Sequence, residues 1–162
     1  VKYSKPIRIL RVYADTSVFG GFFDEEFSKP TRSFFDQLAN GHFQLVTSAV
    51  VRDEILAAPP RVREFFLERT KSAEIAEITV ATLKLQQAYL DAKILSAKWT
   101  ADALHVALAS VNKCALIVSW NFQHIVHFQK IPQYNAINKL HGFAELGIYS
   151  PQEIIEYEDE NF

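Results

Sequence analysis

Leu116-Ile117-Val118-Ser119 is a short apolar run with no polar alternation, and that lack decides the fold. A strand with one wet face alternates apolar and polar side chains, whereas a strand covered by helices on both faces does not. The run therefore predicts a strand inside a parallel sheet. Immediately upstream, Thr100 is placed to cap a helix over 101–112, which is rich in Ala, Leu and Val and is expected to be largely buried.

Working outward, strands and helices alternate. Residues 7–14 predict a strand that is buried late in its run and stops at Asp15-Thr16-Ser17, with Gly20-Gly21 soon breaking the chain again. A helix over 31–40 puts Phe34, Phe35 and Leu38 on one face, with Gly41 closing it. A strand over 43–46 follows, and Thr47 or Ser48 caps a helix through Val50, Val51, Glu54, Ile55 and Leu56. Pro59-Pro60 ends that helix and starts another over 61–69.

Beyond it, a strand is expected at 75–78 and a helix over 79–95 with Val80, Leu83, Leu90 and Ile94 near the core. Downstream of the opening run, short helices are expected at 122–128 and 134–141, and an edge strand at Ile148-Tyr149. The expected fold class is α/β, a three-layer α/β/α domain with a mainly parallel sheet. In such sheets, sites form beyond the carboxyl ends of the strands.

The chain of 162 residues fits one domain, expected over 1–155, with an acidic tail at 156–162. Most of the 13 Phe rings are expected in the core. A net charge of −2 is not that of a non-specific nucleic-acid coater, so any nucleic acid must be held by a local patch or through a metal ion. The one cysteine, Cys114, has no partner for an internal disulfide and reads as a buried inert thiol, so the expected location is the cytoplasm. No membrane span is expected, and Val1-Lys2-Tyr3-Ser4-Lys5-Pro6 lacks the apolar core of a secretory signal.

The acids then stand out by position. Asp15 ends the first strand, Glu54 lies in the helix after the second, and Asp102 lies in the first turn of the buried helix. Asn121 follows the 116–119 strand. All four can converge on one end of the sheet. Clustered carboxylates repel, and a hard divalent cation offsets that repulsion; oxygen donors suit Mg2+ or Mn2+. Each acid also has a plainer reading: Asp15 as a turn former, Asp102 as a partner of the helix dipole, Glu54 as a surface acid. Asp53 competes with Glu54, but Glu54 shares a helical face with Val50 and Val51.

Four segments resemble the PIN domain family, which includes the VapC-type toxins. Val12-Tyr13-Ala14-Asp15-Thr16-Ser17-Val18-Phe19 resembles the opening strand and first acid. Thr47-Ser48-Ala49-Val50-Val51-Arg52-Asp53-Glu54-Ile55 resembles the segment with the glutamate. Thr100-Ala101-Asp102-Ala103-Leu104-His105-Val106-Ala107-Leu108-Ala109, the most specific match, resembles the buried helix with the third acid. Leu116-Ile117-Val118-Ser119-Trp120-Asn121-Phe122 resembles the strand leading to the fourth position.

The resemblance implies a Mg2+- or Mn2+-dependent endonuclease acting on RNA, frequent homodimers and, for the toxins, a tight-binding antitoxin. One departure is visible: the family's fourth position is usually Asp, and here it is Asn121, which adds no charge. That departure keeps open an alternative, a catalytically weak PIN-like module that binds RNA or protein. A phosphatase-like hydrolase with Asp15 as nucleophile is disfavoured, because no Asp follows two residues later.

On this reading Asp15 and Asp102 ligate the metal. Glu54 ligates directly or through water, and Asn121 holds a water or the phosphate. Thr16 or Ser17 bonds Asp15 or a phosphate oxygen. Arg52, Lys98 and Arg11 are candidate backbone-binding cations, and Trp99 and Trp120 candidate stacking platforms. His105 reads as a core histidine or as a group behind Asp102. His124 and His127, expected on one helical face, form a weak candidate metal pair with no third ligand in view.

Overall fold

The computed structural model of the chain describes residues 9–156. Five strands form one sheet: β1 (Leu10–Ala14), β2 (Phe43–Ser48), β3 (Glu74–Ala76), β4 (Leu116–Val118) and β5 (Gly147–Tyr149). The order is β3-β2-β1-β4-β5 and every neighbouring pair is parallel. The sheet is thus wholly parallel, and β4, with Leu116, Ile117 and Val118 all buried, is covered on both faces.

Between the strands lie α1 (Thr16–Gly21), α2 (Ser28–Ala39), α3 (Ala49–Ile55) and α4 (Pro60–Arg69). Then follow α5 (Val80–Asp91), a 3-10 turn (Ala97–Trp99), α6 (Thr100–Val111), α7 (Ile131–Leu140) and α8 (Pro151–Ile154). The chain steps from β1 outward through β2 to β3, then returns to the other side of β1 for β4 and β5. Because parallel crossovers are right-handed, the two directions put α1–α4 and α5–α7 on opposite faces of the sheet. The helices group accordingly: α1 meets α2, α3 and α4, whereas α5 packs along α6 and α7. The direction reverses between β1 and β4, so their carboxyl ends open the crevice where such sheets place sites.

The core is aromatic, as the Phe content suggests. Phe22 stacks on Phe65 at 4.1 Å, Phe35 meets Phe65 edge-on at 4.9 Å and Phe19 meets Phe66 at 5.0 Å, which ties α1 and α2 to α4. The other face adds a buried polar chain to its apolar packing: the Tyr89 hydroxyl donates to Asn138 Oδ1, whose amide donates to Ser110 Oγ at 2.9 Å. This joins α5, α6 and α7. Burial raises the Cys114 thiol to about 12, consistent with an inert buried sulfur.

Several expectations need correction. The segment after Asp15 is not merely a break: residues 16–21 form α1, and Gly21 is required there because a Cβ would stand 2.7 Å from the Trp120 indole nitrogen. Thr100 is the first residue of α6, not its cap; Trp99 holds the cap position. The buried face of α5 is Thr82, Leu85, Gln86 and Tyr89, while Val80 and Leu83 face solvent. Polar Gln86 turns inward because its amide donates to the Thr100 carbonyl at 2.9 Å.

No helix forms at 122–128, so His124 and His127 share no helical face. Asn121 Oδ1 accepts from the His124 N–H at 2.9 Å and the Tyr134 hydroxyl donates to the His124 carbonyl at 2.7 Å. Those side-chain bonds take the place of helical ones. By contrast, Ser48 caps α3 by accepting from the Val51 N–H, and Gly41 follows α2 at φ +81°. Apart from Glu156, whose backbone is held by Gln37, the expected acidic tail lies outside the described residues, as do residues 7 and 8 of the expected first strand.

Candidate active site

Asp15 follows the last residue of β1 and is only 4% exposed. The β1–β4 register pairs Ala14 with Val118, so Ser119 comes to lie beside Asp15. Ser119 Oγ donates to Asp15 Oδ2 at 2.5 Å, and Ser17 Oγ donates to Oδ1 at 2.5 Å. Ser17 Oγ in turn accepts from the Trp120 N–H at 2.9 Å. Burial raises the Asp15 carboxyl above its usual range and the charge of Glu54 adds to the rise; His105 and the two serine hydrogen bonds oppose it. Thr16 Oγ1, next in the chain, is buried with no hydrogen-bond partner among the described residues.

Glu54 leaves α3 with its side chain 40% exposed, and its Oε1 lies 2.7 Å from His105 Nε2. His105, on α6, is buried, and its Nδ1 lies 2.8 Å from the Tyr13 hydroxyl, which meets Ser48 Oγ at 2.8 Å. Burial alone would lower His105. The bond to Glu54 and the charges of Asp15, Glu54 and Asp102 outweigh it and raise the imidazole above its usual value. A protonated ring donates from both nitrogens, to Glu54 on one side and Tyr13 on the other. Glu54 thus bonds this imidazole directly, and Asp102 lies three residues before it on α6. Asp53, the competing acid, points away and lies 3.9 Å from Arg52 on the surface.

Asp102, in the first turn of α6, places Oδ2 at 2.9 Å from His124 Nδ1. Trp99 lies against the other side of this pair, its ring centroid 4.3 Å from that of His124. Asn121 is close in sequence but its side-chain oxygen caps the turn to His124, and its backbone N–H donates to Ser119 Oγ at 2.9 Å.

Of the candidate cations, Arg52 and Lys98 are exposed, and Lys98 Nζ stands 5.1 Å from the Trp99 ring centroid. Arg11 is misplaced by the sequence reading. It lies near the amino end of β1, 2.6 Å from Glu74 and bonded to the Asn112 carbonyl, away from Asp15. Trp120 is 8% exposed, stacked on Phe27 at 4.3 Å and bonded to Thr31 Oγ1, so it packs the fold and offers no free face. His127 Nδ1 accepts from the Gln129 N–H and takes no part in the site.

Sequence reasoning missed Ser119 and the pairing of His124 with Asp102. Ser119 could have been found: in parallel neighbours, the residues just past two strand ends lie side by side. His124 gave no such signal, because its place depends on a loop.

Three carboxylates around one end of a parallel sheet suit a hard divalent cation. The buried Asp15 carboxyl and the orphaned Thr16 hydroxyl beside it also call for a further charged or polar group. Among the described residues, however, no three His, Cys, Asp or Glu side chains stand as a ready-made ligand set. Glu54 and Asp102 each give one carboxylate oxygen to a histidine, and each keeps a second oxygen with which it can face an ion.

Comparison with known proteins gives the same fold. The PIN domain model matches residues 12–123. A chain of the VapBC2 complex from Rickettsia felis, solved bound to a DNA fragment from its promoter, superposes with a TM-score of 0.55. The match covers 76% of this chain and 94% of that one at 14% identity, and at that identity it speaks for the fold alone. No curated protein sequence matches the chain. Among the described residues no helix is long and apolar enough to cross a membrane.

Proposed function

The chain belongs to the PIN domain family, and from that premise we propose that it is a divalent-metal-dependent endoribonuclease, the toxin of a toxin–antitoxin pair. One observation carries the reading: Glu54 bonds His105 on α6, the helix that also bears Asp102, and His105 bonds Tyr13, two residues before Asp15, so three acids far apart in sequence are tied to one end of the sheet. Family membership supports the nuclease class. The VapBC2 neighbour, itself a complex with DNA, supports looking for a protein antitoxin. A homodimer remains part of the proposal on family grounds.

Asp15, Asp102 and Glu54 would hold Mg2+ or Mn2+. When bound, such an ion lowers the pKa of a water and neutralises charge on a phosphate. Ser17 and Ser119 hold the Asp15 carboxylate by donating one hydrogen bond to each oxygen. Tyr13 and His105 form a buried strut that sets the place of Glu54. Thr16 Oγ1, buried and without a hydrogen-bond partner among the described residues, would donate to a water or ligand drawn in beside Asp15. Arg52 and Lys98 are exposed cations on the flanking helix and turn, available to the RNA backbone.

The test is cleavage of labelled single-stranded RNA in Mn2+, wild type against Asp15→Asn. Losing several kcal/mol of transition-state stabilisation slows cleavage by about 100-fold or more. Cleavage that survives the substitution refutes the proposal. The second reading, a weak binding module, is favoured by Asn121, whose amide oxygen is engaged in its own turn. Binding of RNA by the wild type with no cleavage in Mg2+ or Mn2+ decides for it.

A further inference from the structure

Trp99 and Trp120 are the two tryptophans of the chain, and they differ in a way the active-site carboxylates do not explain. Trp120 is sealed between Phe27 and Gly21. Trp99 is 37% exposed, although a large indole is among the most favourable side chains to bury. It sits in the 3-10 turn that leads into α6, and its ring lies at 4.3 Å from His124, the histidine that holds Asp102. Its sequence neighbour Lys98 keeps an ammonium 5.1 Å from the ring centroid and has no carboxylate partner among the described residues. An open groove of about 690 Å³ adjoins the same turn at Ala97 and Thr100; its lining includes one acid, Asp91, and one further cation, Lys93, but not Trp99 or Lys98.

An exposed π-face, an adjacent unpaired cation and a groove leading away are the parts needed to hold single-stranded nucleic acid: the base stacks, the phosphate meets the cation, and the strand has a path. We propose that Trp99 and Lys98 form a subsite that stacks one unpaired base of a single-stranded RNA beside the Asp102–His124 edge of the active site. The inference rests on the ribonuclease reading and deepens it, because it names the substrate as unpaired at that position. A duplex keeps its bases stacked within the helix and has none to offer Trp99. Lys98 sits over the ring as an exposed side chain, and an exposed cation–π contact is weak enough to yield to an arriving base.

The experiment is a fluorescence titration of the full chain with oligoadenylate in a chelated, low-salt buffer, where binding is read without cleavage. Addition of the oligonucleotide quenches the Trp99 emission, while buried Trp120 contributes a constant background. Trp99→Ala weakens binding about 10-fold, the scale of one stacked base. Trp99→Phe keeps a ring and most of the affinity but loses the quench, a pattern that a merely structural role does not produce. Lys98→Ala lowers the salt dependence of binding. The same oligoadenylate paired with oligouridylate binds more weakly and quenches less.

Equal affinity of wild type and Trp99→Ala, or no quench in the wild type, overturns the subsite. The two proposals fail separately. Binding with the Trp99 signature but without cleavage in Mn2+ sinks the nuclease and leaves the subsite, whereas cleavage unchanged by Trp99→Ala does the reverse.

Discussion

The two ends of the parallel sheet solve the problem of charge in different ways. At the amino end, Arg11 on β1 meets Glu74 on β3 at 2.6 Å and closes onto the Asn112 carbonyl at the end of α6. Cation and anion match one to one near the surface, with the guanidinium raised by its bond to Glu74. At the carboxyl end the buried Asp15 carboxyl has hydroxyls as its direct partners, Glu54 and Asp102 lean on histidines, and Thr16 Oγ1 has no partner among the described residues. One end is built for stability. The other carries acidity beyond what the fold needs, a signature of a functional site.

If the carboxyl end is held together by its buried polar strut, cutting the strut should cost more than any change at the amino end. Tyr13 is fully buried, and burial pushes its phenol well above the usual range, so it acts as a neutral hydrogen-bonding group. Tyr13→Phe leaves His105 Nδ1 and Ser48 Oγ each short of a partner. Stranding a buried polar group costs about 1–3 kcal/mol. Urea unfolding should show a lowered midpoint of that size with an unchanged slope. A midpoint equal to wild type would mean that water or a rotated Ser48 repairs the site, and that the strut is dispensable.

The reverse sign is expected at Asp15. Its folded carboxyl lies above the unfolded value, so the wild type binds its proton more tightly when folded. The contribution to stability is therefore full below the usual carboxylate range and is lost as pH rises through the folded value. Asp15→Asn removes that loss. The variant should unfold at a higher temperature than wild type at pH 7. The gain should vanish in acid, well below the unfolded carboxyl's value of about 3.9, where Asp15 is protonated in both states. A gain that persists unchanged at low pH would show that repacking, not ionisation, is responsible.

How much of this was readable beforehand follows the same division. The sheet was legible because Leu116, Ile117 and Val118 are apolar without alternation, which admits little but a doubly covered strand. The places of Asp15 just past a strand end, Glu54 in the helix after β2 and Asp102 in the first turn of a buried helix were legible. What escaped depends on contacts between distant segments. The α5 face was misjudged because Gln86 and Tyr89 are buried through bonds to Thr100 and Asn138, which no local periodicity encodes. The 122–128 segment escaped for a similar reason, since Asn121 and Tyr134 capture the backbone of His124. The partners of the acids, Ser119 and His124, became visible only when β4 was laid against β1 and the following loop folded over α6.

The amino end supplies the smallest effect and the sharpest control. The Arg11 and Glu74 side chains are 30% and 43% exposed, so solvent screens their attraction and a surface pair of this kind contributes less than about 1 kcal/mol. Arg11→Ala also removes one bond to the Asn112 carbonyl, which water can replace at that partly exposed site. The unfolding midpoint should therefore fall slightly, and the difference from wild type should shrink further as salt is raised. On the ribonuclease reading, RNA cleavage should stay within about twofold of wild type, a barrier change of about 0.4 kcal/mol or less. A large loss of cleavage in Arg11→Ala would break the contrast, because it would make the amino end part of the site and give the RNA a path around the sheet that the positions of Asp15, Trp99 and Lys98 do not suggest.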